Sequence, residues 1–289
     1  MGWKVRVVLP SSRAYYPIRD NFQGLHPATQ QCWSHERRPV NTERGEIGEW
    51  VLVDGTPSTC ANVGLFTGDA LFSTGEDQPI DLVLSGPNFG RNTGTAFSVS
   101  SGTLGGALAG SLSGVRSIAI SFCHFTKAPP TLDGREAPPL TQEDFARYAG
   151  VACRHSARLC ANLWEAWEND AEVQAYSINV PICEVLQRPE VHWTKVWSSQ
   201  HVQLYPLPSM PDVKSRIEPL GVQPRENPEE DPCCPYLAFR PNLARAMCPA
   251  DPQPGTDVWA IHQGYISVSR LVASFAEVSA GDRPAPSCI

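Results

Sequence analysis

Two kinds of segment alternate along most of the chain. Short apolar runs rich in β-branched residues occur at residues 5–9, 50–53, 80–84, 117–122 and 175–180, and such runs are typical of buried strands. Segments with helical patterning lie between several of them, at residues 59–72, 103–113 and 141–169. This alternation predicts a parallel sheet covered on both faces, and therefore an α/β fold.

The clearest helix is predicted to begin at Thr141. Its hydroxyl can cap the first turn, and Asp144 lies three residues further on, as in a capping box. The apolar residues that follow share one face, which we interpret as core contact with the sheet; they are Phe145, Tyr148, Ala152, Leu159, Leu163 and Ala166. His155 lies close to this face and is interpreted as a packed histidine.

Two stretches interrupt the pattern. Residues 16–48 are polar and without period, and residues 206–254 are rich in proline with an acidic patch, so both are predicted to be long loops. Residues 265–271 alternate apolar and polar positions, which predicts a half-exposed strand. The tail that follows contains Pro and Ser near its end.

Composition and net charge limit the classes of protein and of binding partner that fit this chain. With 42% hydrophobic and 18% charged residues, the chain can bury one large core or two small ones. A net charge of -7 argues against binding to a nucleic-acid polymer or an anionic membrane. No secretory signal is visible in the first nine residues and no run approaches membrane-spanning length. We therefore expect a soluble, cytoplasmic protein.

The segment at residues 81–110 is the first candidate for chemistry. It predicts a strand, a glycine-bounded turn and a helix that opens on Ser-Gly-Thr, and ligands of open α/β sheets bind where strands end. The Asn88 amide oxygen can coordinate a hard cation or orient a water. Ser101, Gly102 and Thr103 supply hydroxyls and backbone N–H groups for an anion. The alternative is structural, because Ser and Thr also cap ordinary helices.

A second candidate segment, residues 54–65, also follows a strand and opens a helix. Thr56 or Ser58 could face the same crevice. The alternative is again structural, since Thr-Pro-Ser is a common helix cap and turn. No GxSxG elbow, Walker loop or HExxH motif occurs in the chain, which lowers the weight of those enzyme classes.

Several blocks in order resemble the SurE family of survival-protein phosphatases, which are metal-dependent 5'-nucleotidases. The motif GPNFGRNTG is most similar to that of the eukaryotic, fungal-type branch of this family. The blocks are VRVVLP at 5–10, GTPSTC at 55–60, DLVLSGPNFGRNTG at 81–94, SSGTLGGALAG at 100–110, SINVP at 177–181 and DVWAIHQGYISVS at 257–269.

The resemblance implies an architecture. It is a three-layer α/β/α sandwich with a mainly parallel, Rossmann-like sheet, followed by a C-terminal hairpin region after Val180. One domain would cover residues 1–275, with loop inserts near 16–48 and 206–254 and a tail at 276–289. Family members of this kind often form homo-oligomers, which is expected here as well.

The resemblance also implies a site. The activity would be hydrolysis of nucleoside 5'-monophosphates or similar small phosphate esters with a divalent metal, Mg²⁺ or Mn²⁺. Asn88 corresponds to a metal-binding asparagine, and Ser101, Gly102 and Thr103 to the loop that meets phosphate. The family's metal-binding serine aligns with Tyr15 here, so Ser11 or Ser12 could replace it only by a register shift.

The sequence differs from the family pattern in one further respect. It contains no Asn-Asp-Asp-Gly segment with paired metal-binding aspartates, which family members have near their N-terminus. Its strand would lie between those at residues 5–9 and 80–84. We therefore expect a gap in the sheet, an N-terminally truncated form of a longer protein, and impaired activity. The alternatives are a non-catalytic remnant that still binds nucleotides or partners, and a purely structural domain.

Overall fold

Strands and helices alternate in the computed structural model, as predicted. It describes residues 3–10, 43, 50–67, 79–125, 130–131, 140–199 and 252–276. Ser11 and Ser12 lie outside these ranges, as do almost all of the two predicted loops and the predicted tail. The domain limits at residues 1–275 and 276–289 therefore stay predictions.

Among the described residues, strands form two sheets. In the first, β1 and β2 are parallel; the second has the order β3, β4, β5, β7, β6. Strands β3, β4 and β5 are parallel, β7 is antiparallel to β5, and β6 is parallel to β7. The strands are β1 (Val7–Pro10), β2 (Trp50–Val53), β3 (Leu82–Phe89), β4 (Arg116–Cys123), β5 (Ala175–Pro181), β6 (Val191–Thr194) and β7 (Ile266–Leu271).

Helices cover the larger sheet on both sides. They are α1 (Pro57–Phe66), α2 (Gly94–Ser100), α3 (Gly102–Leu112), α4 (Gln142–Ala166) and α5 (Asp257–His262). Short 3₁₀ turns follow α4 at Trp167–Asp170 and β5 at Glu184–Gln187. The predicted α/β class is thus confirmed. Within the described ranges, no helix combines the length and the apolar character that crossing a membrane requires.

The two faces of the larger sheet differ in side-chain size, because neighbours on a strand point to opposite faces. On β4, Ile118, Ile120 and Phe122 belong to the main apolar core. Ser117 and Ser121 alternate with them and are also buried. One face is therefore bulky and apolar, and the other is made of small residues.

Helix α4 packs on the bulky face. The Thr141 hydroxyl oxygen accepts a hydrogen bond from the Asp144 amide at 3.1 Å, which confirms the predicted start. Tyr148, Ala152 and Leu163 are buried in the core, and Phe145 and Leu159 pack against it. The predicted stripe is therefore confirmed except at Ala166, which is exposed. His155 places Nε2 3.1 Å from the Leu186 carbonyl oxygen, as expected of a packed histidine.

Helix α3 lies against the small-residue face at very short range. A Cβ atom added to Gly106 would lie 2.6 Å from Ser85 Oγ, and one added to Gly110 would lie 2.5 Å from Ser117 Oγ. Real Cβ atoms do not approach other atoms so closely. The glycines of α3 and the small serine side chains of β3 and β4 together let this helix pack closely on the sheet.

Strand β7 differs from its prediction. Ile266, Ser267, Val268 and Ser269 are at most 3% exposed, so the first four residues of the strand are buried and not half-exposed, while Arg270 is exposed. The polar positions that suggested exposure are serines on the small-residue face, and the Thr194 hydroxyl lies 3.0 and 2.9 Å from those of Ser267 and Ser269. Hydrogen bonding between neighbouring strands makes their burial tolerable.

Residues 200–251 of the expected hairpin region after Val180 lie outside the described residues, so the hairpin stays a prediction there. Strands β6 and β7 are neighbours, but they run parallel, with Val191 opposite Ile266. A hairpin requires antiparallel neighbours joined by a short turn. In the described part of the chain, this region therefore extends the sheet without forming a hairpin.

The sheet is interrupted between β1 and β3 within the described residues. Strand β1 pairs with β2, β3 pairs with β4, and no ladder joins the two sheets. Helix α1 connects them by packing: a Cβ on Gly64 would lie 3.2 Å from Val8 Cγ2, and one on Gly102 would lie 3.2 Å from Pro57 Cγ.

Replacing Gly110 by alanine tests the close approach of α3. We expect Gly110→Ala to lower the free energy of unfolding by about 1–3 kcal/mol, because the new methyl group overlaps Ser117 and Val83. Urea denaturation measures the change. The matched control is Gly150→Ala on α4, where the nearest atom is Arg154 Nη1 at 3.9 Å. That variant should gain about 0.5–1 kcal/mol; equal stabilities of both variants would contradict the packing described.

Candidate functional site

Polar side chains on three neighbouring strands lie in one row near the carboxyl edge of the sheet. Asn88 of β3 is opposite Ser121 of β4, and Ser121 is opposite Asn179 of β5. Ser121 and Asn179 are 2% and 1% exposed. Because ligands of open α/β sheets bind at this edge, the row marks the candidate site.

An irregularity in β3 sets the position of Asn88. The register between β3 and β4 shifts between Ser85 and Asn88. Gly86 has a φ of +106°, and a side chain there would collide with the carbonyl oxygen of Ile120. Only glycine fits such a position, and a bulge of this kind re-aims the side chains that follow.

Asn92 is the centre of the site's hydrogen bonds. Its Nδ2 donates to Asn88 Oδ1 at 3.2 Å and to Ser121 Oγ at 2.7 Å. Its backbone N–H donates to Asn179 Oδ1 at 2.9 Å. One residue therefore connects the ends of three strands. The sequence prediction missed Asn92, Ser121 and Asn179, although Asn92 lies in the block GPNFGRNTG that carried the resemblance.

Asn88 and Thr103 lie together, and both were predicted site residues. The Thr103 hydroxyl donates to Asn88 Oδ1 at 3.0 Å, and Asn88 Nδ2 donates to the Gly90 carbonyl at 3.0 Å. The amide oxygen of Asn88 thus accepts two hydrogen bonds, one from Thr103 and one from Asn92. A cation at this oxygen would compete with both donors.

The other residues of the predicted phosphate loop have packing roles. The Ser101 hydroxyl accepts a hydrogen bond from the Leu104 amide at 3.0 Å and caps α3. Gly102 lies against Pro57 of α1. The capping alternative therefore describes Ser101, while the first turn of α3 still begins beside Asn88 through Thr103.

Thr56 and Ser58 are engaged at the start of α1. The Thr56 hydroxyl accepts from the Thr59 amide at 3.2 Å, and Thr59 Oγ1 accepts from the Thr56 amide at 3.3 Å, which forms a capping box. Ser58 lies between α1 and α3, where a Cβ on Gly105 would be 3.1 Å from its Oγ. Both fit the cap-and-turn alternative.

Two titratable side chains, Arg91 and His124, lie near the row in the sequence. Arg91 precedes Asn92, and His124 follows the last residue of β4. Burial lowers the pKa of the His124 imidazole, and the nearby Arg91 charge lowers it further. Burial raises the pKa of the neighbouring Cys123 thiol, which Arg91 partly offsets. At neutral pH we therefore expect His124 and Cys123 to be uncharged beside a cationic Arg91.

The described residues do not form a site for a divalent metal. Among them, no three His, Cys, Asp or Glu side chains are placed to hold an ion together. Asn88 offers one amide oxygen that two hydrogen bonds already occupy, whereas Mg²⁺ is held mainly by carboxylates and waters. The donors around the row are amides, hydroxyls and a guanidinium, which suit an anion better than a cation.

A family model described as "Survival protein SurE" matches residues 20–203, well over half of the chain. The chain belongs to the SurE family. Proteins named 5'-nucleotidase SurE are among its relatives. One from Carboxydothermus hydrogenoformans is 33% identical over 135 residues, covering 47% of this chain and 42% of the relative. Another from Picosynechococcus sp. is 28% identical over 264 residues, covering 85% and 81%.

Two further comparisons describe a longer relative and a solved structure. A Saccharomyces cerevisiae protein named "Probable tubulin--tyrosine ligase PBY1" is 36% identical over 159 residues, covering 54% of this chain and 18% of that protein. The crystal structure of the SurE protein from Aquifex aeolicus has a TM-score of 0.45 and 22% identity, covering 78% of this chain and 70% of that one. The SurE-family chain thus spans less than half the length of the yeast and Carboxydothermus relatives.

The lowered pKa of His124 predicts a pH dependence of stability. The unfolded chain binds a proton near the ordinary value of 6.5, while the folded chain binds it only at lower pH. The free energy of unfolding should therefore fall as pH drops below about 6.5. Urea denaturation between about pH 8 and about pH 5 measures it, and His124→Gln should remove part of the fall.

An NMR titration of His124 gives the direct check. The pKa should lie below 6.5 in the native protein, and Arg91→Gln should raise it only in part because burial is the larger cause. A His124 imidazole that titrates at or above its ordinary pKa in the folded protein would contradict the assignment.

Proposed function

We propose that this SurE-family chain is a phosphomonoesterase domain that takes nucleoside 5'-monophosphates or similar small phosphate esters at the edge of its sheet. Family membership and the relatives named 5'-nucleotidase support a phosphatase or nucleotidase in general. The observation that supports this location of the site is that Asn88, Asn92 and Thr103 are hydrogen-bonded to one another beside the start of α3.

The chemistry of these groups suits a phosphoryl group. Backbone N–H groups in the first turn of a helix have no partners within that helix, and the helix dipole favours an anion there. Thr103 adds a hydroxyl at the start of α3, and Arg91 adds positive charge nearby. Phosphate would therefore meet the N-terminal turn of α3, with Gly102 and Thr103 as its first contacts.

The residues present would act on the substrate by position and charge. Asn92 and Thr103 hold the Asn88 amide in one orientation. Because the oxygen of this amide already accepts two hydrogen bonds, the Asn88 Nδ2 hydrogen that does not donate to Gly90 would bind a water or a phosphoryl oxygen. The start of α3 would stabilise charge that develops on the phosphoryl oxygens during hydrolysis. His124, which directly follows β4, would be the group that exchanges a proton with this water.

Divalent metal enters this proposal only with ligands from outside the described residues. Mg²⁺ or Mn²⁺ lowers the pKa of a bound water and polarises phosphate esters. Ser11 and Ser12 are the sequence candidates, and the paired aspartates that the family resemblance implies are absent from the sequence. We therefore propose that hydrolysis by this chain is weak.

A second candidate function is nucleotide binding without turnover. The occupied Asn88 oxygen and the lack of an acidic cluster among the described residues favour it. Under this alternative, the site still binds an anion but does not hydrolyse a phosphate ester. The same alternative includes binding of a partner molecule at this site in place of a nucleotide.

The remaining sequence-based predictions accompany this proposal. The chain would be a cytoplasmic protein of the fungal-type branch and a homo-oligomer, with a small phosphorylated molecule as ligand and no nucleic-acid polymer or membrane as partner. The similarity to a yeast protein supports the branch. The net charge of -7 supports the expected absence of polyanionic partners.

Phosphate release from a panel of nucleoside monophosphates tests the proposed hydrolysis. The purified protein should release phosphate in Mg²⁺ or Mn²⁺ and less in chelator, and Asn88→Ala should lower kcat/KM by about 10- to 100-fold. The matched control is Asn162→Ala, which removes an exposed asparagine from α4 on the other side of the sheet. An equal loss of kcat/KM in both variants would contradict the assignment of Asn88 to the site.

Isothermal titration with AMP separates the two candidate functions. Binding that weakens in Thr103→Val, without phosphate release by the parent protein, selects the non-catalytic alternative. A folded protein that neither binds AMP nor releases phosphate would overturn both.

A further inference from the structure

The side chain of Asp257 joins three parts of the chain. Its Oδ2 accepts a hydrogen bond from the Gly94 amide at 2.8 Å. Its Oδ1 accepts from the Trp197 amide at 2.9 Å and from the Val258 amide at 2.8 Å. The residue is 1% exposed. Gly94 and Asp257 are 163 positions apart in the sequence, so this contact is a purely tertiary one.

Removing a carboxylate from water is costly unless hydrogen bonds replace those to the solvent. Burial raises the pKa of the Asp257 carboxyl, while the amides of Gly94, Trp197 and Val258 lower it. Hydrogen bonds to a charged acceptor are about twice as strong as neutral ones. The three amides are therefore the partners that make this buried position tolerable.

The cap of α5 does not explain the carboxylate. Thr256 precedes the helix, and its hydroxyl accepts from the Trp259 amide at 3.3 Å. Within α5, Asp257 contacts its neighbour Val258. Its contacts with Gly94 and Trp197 are directed away from its own helix, toward the loop that enters α2 and toward the segment after β6.

Further contacts hold the same two segments together. The Thr95 amide donates to the Trp197 carbonyl at 2.8 Å, and the Ala96 amide donates to Ser199 Oγ at 3.0 Å. Gly94 has a φ of +74°, and a Cβ there would lie 2.8 Å from Ser199 Oγ. The start of α2 is therefore closely fitted against residues 197–199.

This fit bears on the candidate site through Asn92. Gly94 lies two residues after Asn92, whose side chain donates to Asn88 Oδ1 and to Ser121 Oγ. We propose that Asp257 is a positioning residue: its carboxylate fixes residues 92–94 so that Asn92 holds the Asn88 amide oxygen toward Thr103. The effect on catalysis rests on the proposed function, whereas the effect on the loop does not.

Asp257→Asn is the sharpest test, because it keeps the shape and one acceptor oxygen but removes the charge. We expect amide hydrogen exchange at Gly94 and Trp197 to rise by about tenfold or more, through local opening. The NMR signals of the Asn92 side-chain amide should shift or broaden. In the same variant, kcat for phosphate release should fall more than KM changes.

Thr256→Val is the matched control, since it removes the α5 cap and leaves the carboxylate. It should lower global stability by about 1 kcal/mol without selective exchange at Gly94. If Asp257→Asn does not fold, Gly94→Ala strains the same junction from the other side and should give the same changes at Asn92 and Trp197.

The outcomes separate the two proposals. Selective exchange with a shifted Asn92 signal supports the role of Asp257, even where the wild-type protein neither binds AMP nor releases phosphate. Exchange that rises no more at Gly94 and Trp197 than along α4 shows a merely structural role and overturns it. So does an unchanged Asn92 signal.

Discussion

The close contact between α3 and the small-residue face of the sheet is the constraint on which the site depends. Gly106 and Gly110 face Ser85 and Ser117 at distances that leave no room for a side chain. Because α3 packs so closely on β3 and β4, its first turn reaches the end of β3. Thr103 can then donate to Asn88 over 3.0 Å. A bulkier pair of faces would move the helix outward and separate these two groups.

Polar groups on that face are tolerated because they satisfy one another. The amide of Asn92 serves Asn88 and Ser121, while Asn179 accepts from the Asn92 backbone. Such a network is sensitive to any missing member, since a buried polar group without a partner costs about 1–3 kcal/mol. Asp257 is satisfied in the same way, because its carboxylate oxygens accept hydrogen bonds from three backbone amides.

Under the proposed function, the described residues would supply the phosphate-binding part of the site and not its metal-binding part. Helix α3, Thr103 and Arg91 provide what an anion needs, and the described residues contain no acidic cluster for a cation. The proposal therefore assigns phosphate, and not the metal ion, to this part of the chain. His124 adds a titratable group whose pKa is lowered by burial.

Local patterns were enough to predict the fold class, most strand positions and the start of α4 at Thr141. Strand β2 and the start of β5 lie where the apolar runs predicted them. Such features depend on residues a few positions apart, through side-chain alternation and helix capping. The candidate positions Asn88 and Thr103 were also visible, because strand ends and helix starts are local features.

Only the tertiary structure decided which polar groups meet. Ser101 became a helix cap, β7 became an interior strand, and Asn179 and Asp257 joined a loop far away in the sequence. No periodicity marks such residues, because the partner of a buried polar atom is chosen by how distant segments pack. The sequence by itself determined the elements and the edge where a site forms, and packing decided its hydrogen bonds.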